Sequence, residues 1–287
     1  MKTILISDIG GKQESIIPYA LNLTKHIDNT IDIVHVIDSR IQHGASSAYS
    51  DSKSFQVGGE QLSYASIIER EVSQTRSKLD KLLRIEASKL NFPLRVKTII
   101  EENSIENLLH TIIKVDEPSI IISSSALAGT ILIDLDESFQ IAKEFSNLSL
   151  IITPGSKFTL PKKILIQYDF ELGINDGIFK VLDYLKPLKP HIDVVDVAEI
   201  DKYPERVTKS DEWKQVVNNY LNSSLSITTN ILTGNQPTEV LSSFILKNNY
   251  DMVAIPKNMK TSNGINIFSK NLSKRLVESL DIPVILY

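Results

Sequence analysis

The sequence predicts an α/β protein built from two tandem, open and mainly parallel five-stranded sheets, each flanked by helices. Two observations support this fold class. Short runs of β-branched and apolar residues alternate with segments of helical periodicity along the chain, as in repeated β–α–β units. The elements of residues 1–154 then recur in the same order in residues 162–287. One fold is therefore written twice.

Four segments of the first half have a counterpart in the second half. Because they follow one another in the same order, they indicate an internal repeat rather than chance similarity. The pairs are TIDIVHVID (30–38) with HIDVVDVAE (191–199), ILISD (4–8) with ILIQYD (164–169), IENLLHTIIK (105–114) with PTEVLSSFIL (237–246), and LSLIITP (148–154) with IPVILY (282–287).

Periodicity gives the bounds of each predicted element. Alternation of strands and helices then requires right-handed crossovers and a mainly parallel sheet. Strands are predicted at 3–7, 31–37, 94–101, 119–124, 148–153, 163–168, 192–198, 226–232, 251–255 and 283–286. Helices are predicted at 13–27, 62–90, 104–115, 135–146, 174–186, 209–223, 237–248 and 271–280.

The repeat also sets the predicted domain boundaries. The first domain spans 1–154, the segment GSKFTLP at 155–161 is the linker, and the second domain spans 162–287. The first domain alone carries a long insert at 38–62, rich in Ser, Gly and polar residues. Such an insert is either a plain surface loop or a lid over a site at the strand ends.

Composition excludes several classes of function. The chain has 287 residues, 42% of them hydrophobic, a formal net charge of −4 and no cysteine. Without cysteine there are no disulfides, thiolate metal sites or thiol nucleophiles, which suits the cytoplasm. No basic field indicates nucleic acid, no apolar run has membrane-spanning length, and the five scattered histidines give no metal-binding spacing. A nucleic-acid partner, a membrane and a metal are therefore not expected.

The segment GGKQES at 10–15 directly follows the first predicted strand. Adjacent glycines, a lysine and a serine at that place are also found in loops that hold pyrophosphate. The leading Ser and the Asp of the pyrophosphatase loop are absent, and the second half has no matching run. We therefore interpret Gly10 and Gly11 as a strand-to-helix turn, with a pyrophosphatase-like enzyme as the minor alternative.

Taken together, these segments resemble the universal stress proteins in their tandem two-domain form. Asp8 after ILIS, Tyr19-Ala20-Leu21 and IDIVHVID carry the resemblance in the first half. ILIQYDF at 164–170 and FSKNLSKRLVESLDIPVILY at 268–287 carry it in the second. The resemblance implies that the two final strands pair around a two-fold axis. Here both belong to one chain, which predicts an intrachain pseudo-dimer and leaves further self-association open.

ATP-binding members of that family carry the pattern G-x2-G-x9-G-[ST] after the fourth strand. The first-half loop keeps only Gly129, and the acidic residues Asp134, Asp136 and Glu137 stand where the helix should begin. The second-half loop also lacks the pattern but is basic. It is either a solvated loop whose Ser or Asn caps the helix, or a degenerate anion site. Its candidate ligand residues are Lys257, Lys260, Ser262, Asn263, Gly264, Ser269, Lys270 and Asn271.

Asp8 and Asp169 end the first strand of each half. By resemblance, this Asp contacts the nucleoside, and Val36 and Val197 at the ends of the second strands line the base pocket. Ligands of open parallel sheets do bind at the carboxyl ends of strands. An Asp in this place is equally suited to cap the following helix, so both roles stay open.

The function predicted from the sequence is that of a stress-associated protein that binds a small molecule or regulates a partner, without catalytic turnover. No cofactor is firmly predicted, and ATP or another nucleotide stays open. The expected ligand is an anionic small molecule held in the second domain, near Asp169 and residues 257–271. The alternatives are a nucleotide-binding sensor or weak ATPase of the same fold and, less favoured, a pyrophosphatase- or ligase-like enzyme.

Overall fold

The chain folds as an α/β protein in which ten strands form one mostly parallel sheet flanked by helices. The predicted fold class is thereby confirmed. The structure is a computed structural model. It describes residues 1–9, 14–28, 30–37, 64–90, 93–114, 118–125, 135–145, 148–222, 224–234, 236–257 and 282–287.

Each predicted strand is present, with both ends within one residue of the expected position. The strands are β1 Lys2–Ile6, β2 Thr30–Ile37, β3 Arg95–Glu102, β4 Ser119–Ser124, β5 Leu148–Ile152, β6 Lys163–Gln167, β7 His191–Ala198, β8 Ser226–Thr233, β9 Met252–Ile255 and β10 Val284–Leu286. The helices are α1 Ile17–Ile27, α2 Tyr64–Lys89, α3 Ile105–Ile112, α4 Leu135–Glu144, α5 Asp176–Leu185, α6 Tyr203–Leu221 and α7 Pro237–Asn248.

Two helices begin four or more residues away from the predicted start. Helix α1 begins at Ile17 rather than at 13, and α6 begins at Tyr203 rather than at 209. Both have a proline in the first turn, where its fixed φ favours helix and its missing N–H has no intrahelical partner. The first turn of α6 lacks apolar periodicity, so the sequence pattern did not indicate that start. The predicted helix at 271–280 lies outside the described residues.

The strand order is β3-β2-β1-β4-β5-β10-β9-β6-β7-β8. Every neighbouring pair is parallel except β5 and β10, which pair antiparallel with Ile285 opposite Leu150. The predicted pairing of the two final strands within the chain is therefore confirmed. It is consistent with the expected pseudo-dimer, whereas the domain boundaries remain a prediction.

The strand register shows how the two halves correspond. Thr3 pairs with Ile31 and Ile164 pairs with Ile192, so adding 161 to a residue number converts one strand pair into the other. The same shift carries Asp8 onto Asp169. It places Ile4 on Leu165, which corrects the simple match of the letters ILI in the two segments. The letter match is therefore one residue out of register with the structural correspondence between β1 and β6.

Helices cover both faces of the sheet. Helices α1, α2, α5 and α6 pack on one face, where a single apolar cluster runs from Leu5 through Leu150 and Ile285 to Trp213. Helices α3, α4 and α7 lie on the other face, over two further clusters. The predicted linker contributes Phe158, whose ring contacts Tyr19 edge-on at a centroid distance of 5.3 Å.

Because that cluster crosses the β5–β10 pair, we predict that the halves unfold as one cooperative unit. Leu5→Ala in the first half should cost about 2–5 kcal/mol of unfolding free energy. The fluorescence of Trp213, in the second half, should report the full loss during chemical denaturation. Ile166→Ala, at the matching position of β6, is the control that must shift the Trp213 signal in any case. An unchanged Trp213 midpoint in Leu5→Ala would show that the halves unfold independently.

Candidate functional site

The candidate site residues lie at the carboxyl ends of neighbouring strands. Asp8 follows β1 and Val36 ends β2, and these strands are adjacent. In the second half, Asp169 follows β6, Val197 lies near the end of β7, and Lys257 follows β9, which also pairs with β6. Each half therefore brings its described site residues to one edge of the sheet. Because β5 and β10 run antiparallel, the two sites lie at opposite edges.

The rest of the predicted site lies outside the described residues. This applies to the strand-to-helix turn at Gly10 and Gly11, to the insert 38–62, and to the first-half loop around Gly129 and Asp134. Their roles remain predictions. So do those of the second-half loop residues Lys260, Ser262, Asn263, Gly264, Ser269, Lys270 and Asn271.

Asp8 fixes the entry into α1. One carboxylate oxygen accepts a hydrogen bond from the Ser15 hydroxyl at 2.5 Å, and the other accepts one from the Ile16 backbone N–H at 2.8 Å. Burial raises the pKa of Asp8, and these two hydrogen bonds lower it in part. The carboxylate thus satisfies the backbone N–H of Ile16 and fixes the turn that leads into α1, while α1 has no side-chain N-cap.

Asp169 has different partners in the second half. It accepts a hydrogen bond from the backbone N–H of Glu171 at 2.9 Å and caps the 3-10 turn Phe170–Leu172. Its carboxylate also forms an ion pair with Arg206 of α6, and Arg206 is nearly fully buried. The guanidinium therefore ties the first turn of α6 to the end of β6.

Asp196 and Glu171 complete this ion cluster. The Arg206 guanidinium lies 3.1 Å from a carboxylate oxygen of Asp196 and also pairs with Glu171. The same Asp196 oxygen accepts a hydrogen bond from the Phe170 N–H at 3.3 Å. Burial raises the pKa of Asp196 to about 6. The Arg206 charge opposes that rise, and the Asp169 charge adds to it.

The sequence interpretation missed Arg206, Asp196 and Glu171. A signal for Asp196 was present, because strand alternation puts it on the same face as Ile192 and Val194, which are both fully buried. A carboxylate on a buried face requires a cation or several donors. Nothing local identifies Arg206 as that cation, because it is ten residues away on another element.

The first half is built differently at the matching places. The shift of 161 carries His35 onto Asp196, and His35 is fully buried. Burial, with a smaller contribution from the Lys78 charge, lowers the pKa of His35 to about 4. A neutral imidazole therefore stands where the second half has a carboxyl group. The two valines match more closely, since Val36 and Val197 are both buried in the apolar clusters of the opposite face.

Lys257 lies beside the junction of the two halves. Its ammonium group donates a hydrogen bond to the carbonyl of Phe145, at the end of α4 in the first half, at 3.2 Å. Its backbone N–H bonds to the Tyr287 carbonyl. Burial lowers the pKa of Lys257 to about 8, and repulsion from Lys180 adds to the effect. At neutral pH the ammonium is therefore still mostly charged.

The charges at the second-half edge are unevenly distributed. Asp169, Glu171 and Asp196 surround the single guanidinium of Arg206, which leaves two excess negative charges when all three are ionised. Lys257 provides positive charge on the β9 side. Within the described ranges, no three His, Asp or Glu side chains are arranged to hold a metal ion. Among these described groups, the β9 side is therefore the more favourable place for an anion.

The similarity of this chain to known proteins is found by comparing structures, not sequences. No family model and no curated protein matches the sequence. The crystal structure of a universal stress protein from Archaeoglobus fulgidus DSM 4304 matches 99% of this chain and 97% of its own, with a TM-score of 0.61 and 12% identity. The chain has the universal stress protein fold.

A second structure with this fold agrees. It is a proposed universal stress protein from Pseudomonas aeruginosa UCBPP-PA14, with a TM-score of 0.54, 12% identity and coverage of 99% of this chain and 92% of its own. A functionally unknown protein from Pseudomonas aeruginosa PAO1 also matches, with a TM-score of 0.51, 13% identity and coverage of 99% and 91%. In the part of this chain that is described, no helix is long and apolar enough to span a bilayer.

The ion cluster predicts a pH dependence of stability. The folded pKa of Asp196, about 6, lies above the value of roughly 3.9 in an unfolded chain. Its contribution to stability is therefore complete below about pH 4 and is lost as pH rises through 6. Asp196→Asn should remove this loss, so that between pH 4 and 8 the variant gains on the order of 1–3 kcal/mol relative to wild type.

Chemical denaturation across that pH range measures the effect. Asp211→Asn, at an exposed position of α6, is the control for removing one carboxyl group. A constant difference between Asp196→Asn and wild type at every pH would contradict the assignment of a raised pKa to Asp196.

Proposed function

We propose that the chain is a stress-associated binding or regulatory protein of the universal stress type, whose strand-end sites carry out no catalytic turnover. The observation behind this proposal is that both strand-end aspartates are engaged within the protein. Asp8 holds Ser15 and the start of α1, and Asp169 holds Arg206 and the turn after β6. A carboxylate with such partners is a structural cap and a poor general base, because a base must reach a substrate proton.

The ligand expected in the second half is an anionic small molecule. The acidic cluster around Arg206 argues against placing its charge next to Asp169, because the net field there is negative. We therefore infer that the anionic group faces Lys257 and the basic loop that follows it in the sequence. Such a ligand would lie at the end of β9.

A nucleotide-binding sensor or weak ATPase is the second candidate. The observation in its favour is the position of Asp8 and Asp169, which both follow the first strand of a half with the universal stress protein fold. The lack of the glycine pattern in both loops argues against close approach of the backbone to a triphosphate. Purification without added ligand, denaturation and mass analysis of released small molecules distinguish the candidates.

We predict that ATP hydrolysis is negligible. The purified chain should release no more phosphate from ATP than the double variant Asp8→Ala and Asp169→Ala, because neither carboxylate is placed to activate water. Steady phosphate release that survives repeated chromatography and is lost in Asp169→Ala would overturn the proposal and favour the ATPase.

Anion binding should depend on the lysines of the second half. Replacing Lys257, Lys260 and Lys270 with Gln should weaken binding of the released ligand, or of ATP as the probe, about tenfold or more. It should also flatten the salt dependence, because three charges are removed. Titration calorimetry at two ionic strengths measures both effects, with Asp134→Asn in the first half as the control. Equal affinity in the Lys variant would place the ligand elsewhere.

A further inference from the structure

The ten-stranded sheet ends in two outer strands, β3 and β8. Among the described residues, β3 pairs only with β2, so the backbone groups on its outer side have no strand partner. The side chains of β3 are also open to solvent, and six of its eight residues are exposed. An exposed edge of this length is a ready template for another strand.

The charge on one face of β3 changes from basic to acidic along the strand. Arg95, Lys97, Ile99 and Glu101 alternate along the strand and therefore share one face of the sheet. The beginning of that face is basic, its centre is apolar and its end is acidic. The pattern is complementary to its own reverse, and so to a second identical strand running the opposite way.

We propose that β3 pairs antiparallel with β3 of a second copy, about a two-fold axis that passes through Ile99. In that register Lys97 of each chain lies opposite Glu101 of the other, and the two Ile99 side chains face each other. Two opposite-charge pairs and one apolar pair then stabilise the interface. The two sheets join edge to edge in a closed, isologous contact.

The alternatives are less favourable. Parallel pairing of the two outer edges requires a two-fold axis along the strand, which turns the second sheet over. Lys97 and Glu101 of the second copy then lie on the opposite face, so no Lys97–Glu101 contact forms. The outer strand β8 offers no such complementarity, because Thr228, Asn230 and Leu232 stand where β3 has Lys97, Ile99 and Glu101. The sheet already uses antiparallel edge pairing once, between β5 and β10.

Charge reversal tests the register. Lys97→Glu or Glu101→Lys alone places like charges at both symmetric contacts and should raise the dimer dissociation constant about tenfold or more. The double variant Lys97→Glu with Glu101→Lys restores both contacts in reverse and should recover the wild-type constant. Sedimentation equilibrium measures the constants, and circular dichroism checks that each variant is folded.

The absence of cysteine allows a second test of the axis. Ile99→Cys should form a disulfide-linked dimer under mild oxidation, because the two side chains are direct neighbours across the axis. Asn230→Cys, at the matching position of β8, is the control and should stay monomeric. The proposal is overturned by a wild-type chain that stays monomeric at millimolar concentration. It is equally overturned by a dimer that neither single reversal weakens, by failure of the double reversal to restore it, or by equal cross-linking of both Cys variants.

Discussion

The antiparallel pairing of β5 with β10 is the interaction on which the rest of the structure depends. Both strands are fully buried, and each would expose an apolar edge if its half stood alone. Pairing them satisfies their backbone groups and lets one apolar cluster continue from the first half into the second. Tyr287, directly after β10, ties that strand to the rest of the second half, because its hydroxyl donates to the Gln167 carbonyl at 2.6 Å and its backbone N–H donates to the Ile255 carbonyl.

The two halves keep the same backbone but use it differently. The same shift in residue number relates their first β–α–β units, and it puts Asp8 and Asp169 in equivalent places. In the first half the carboxylate holds the Ser15 hydroxyl and the Ile16 N–H, directly before the following α-helix. In the second half Asn175 caps that helix, with its side chain accepting from the Ile178 N–H. Asp169 does not cap that helix and instead forms the ion pair with Arg206. One strand-end position thus supports two different local structures.

Most of the fold follows from local pattern. A parallel strand that is buried on both faces is a short, continuous apolar run in the sequence, as in SIIIS at 119–123. The limits of such a run mark the ends of the strand. The start of α6 was mispredicted because its first turn, Tyr203 to Arg206, shows no apolar periodicity. The site was harder to predict from the sequence than the fold, for a different reason. The ion cluster joins β6, β7 and α6, and no spacing within one element encodes which cation meets Asp196. The contacts of Asp8 with Ser15 and Ile16 were foreseeable, because both partners lie within eight residues.

Geometry limits how the two halves can act together. The carboxyl edges of the halves lie at opposite edges of the sheet, so one small ligand cannot touch Asp8 and Asp169 at once. The carboxyl edge of the second half instead borders the amino edge of the first, where α4 ends shortly before β5 begins. The hydrogen bond from Lys257 to the Phe145 carbonyl crosses that border. An anion that drew the ammonium towards itself would weaken this contact with α4. Any influence of second-half binding on the first half would therefore pass through α4 and β5 rather than through a shared pocket.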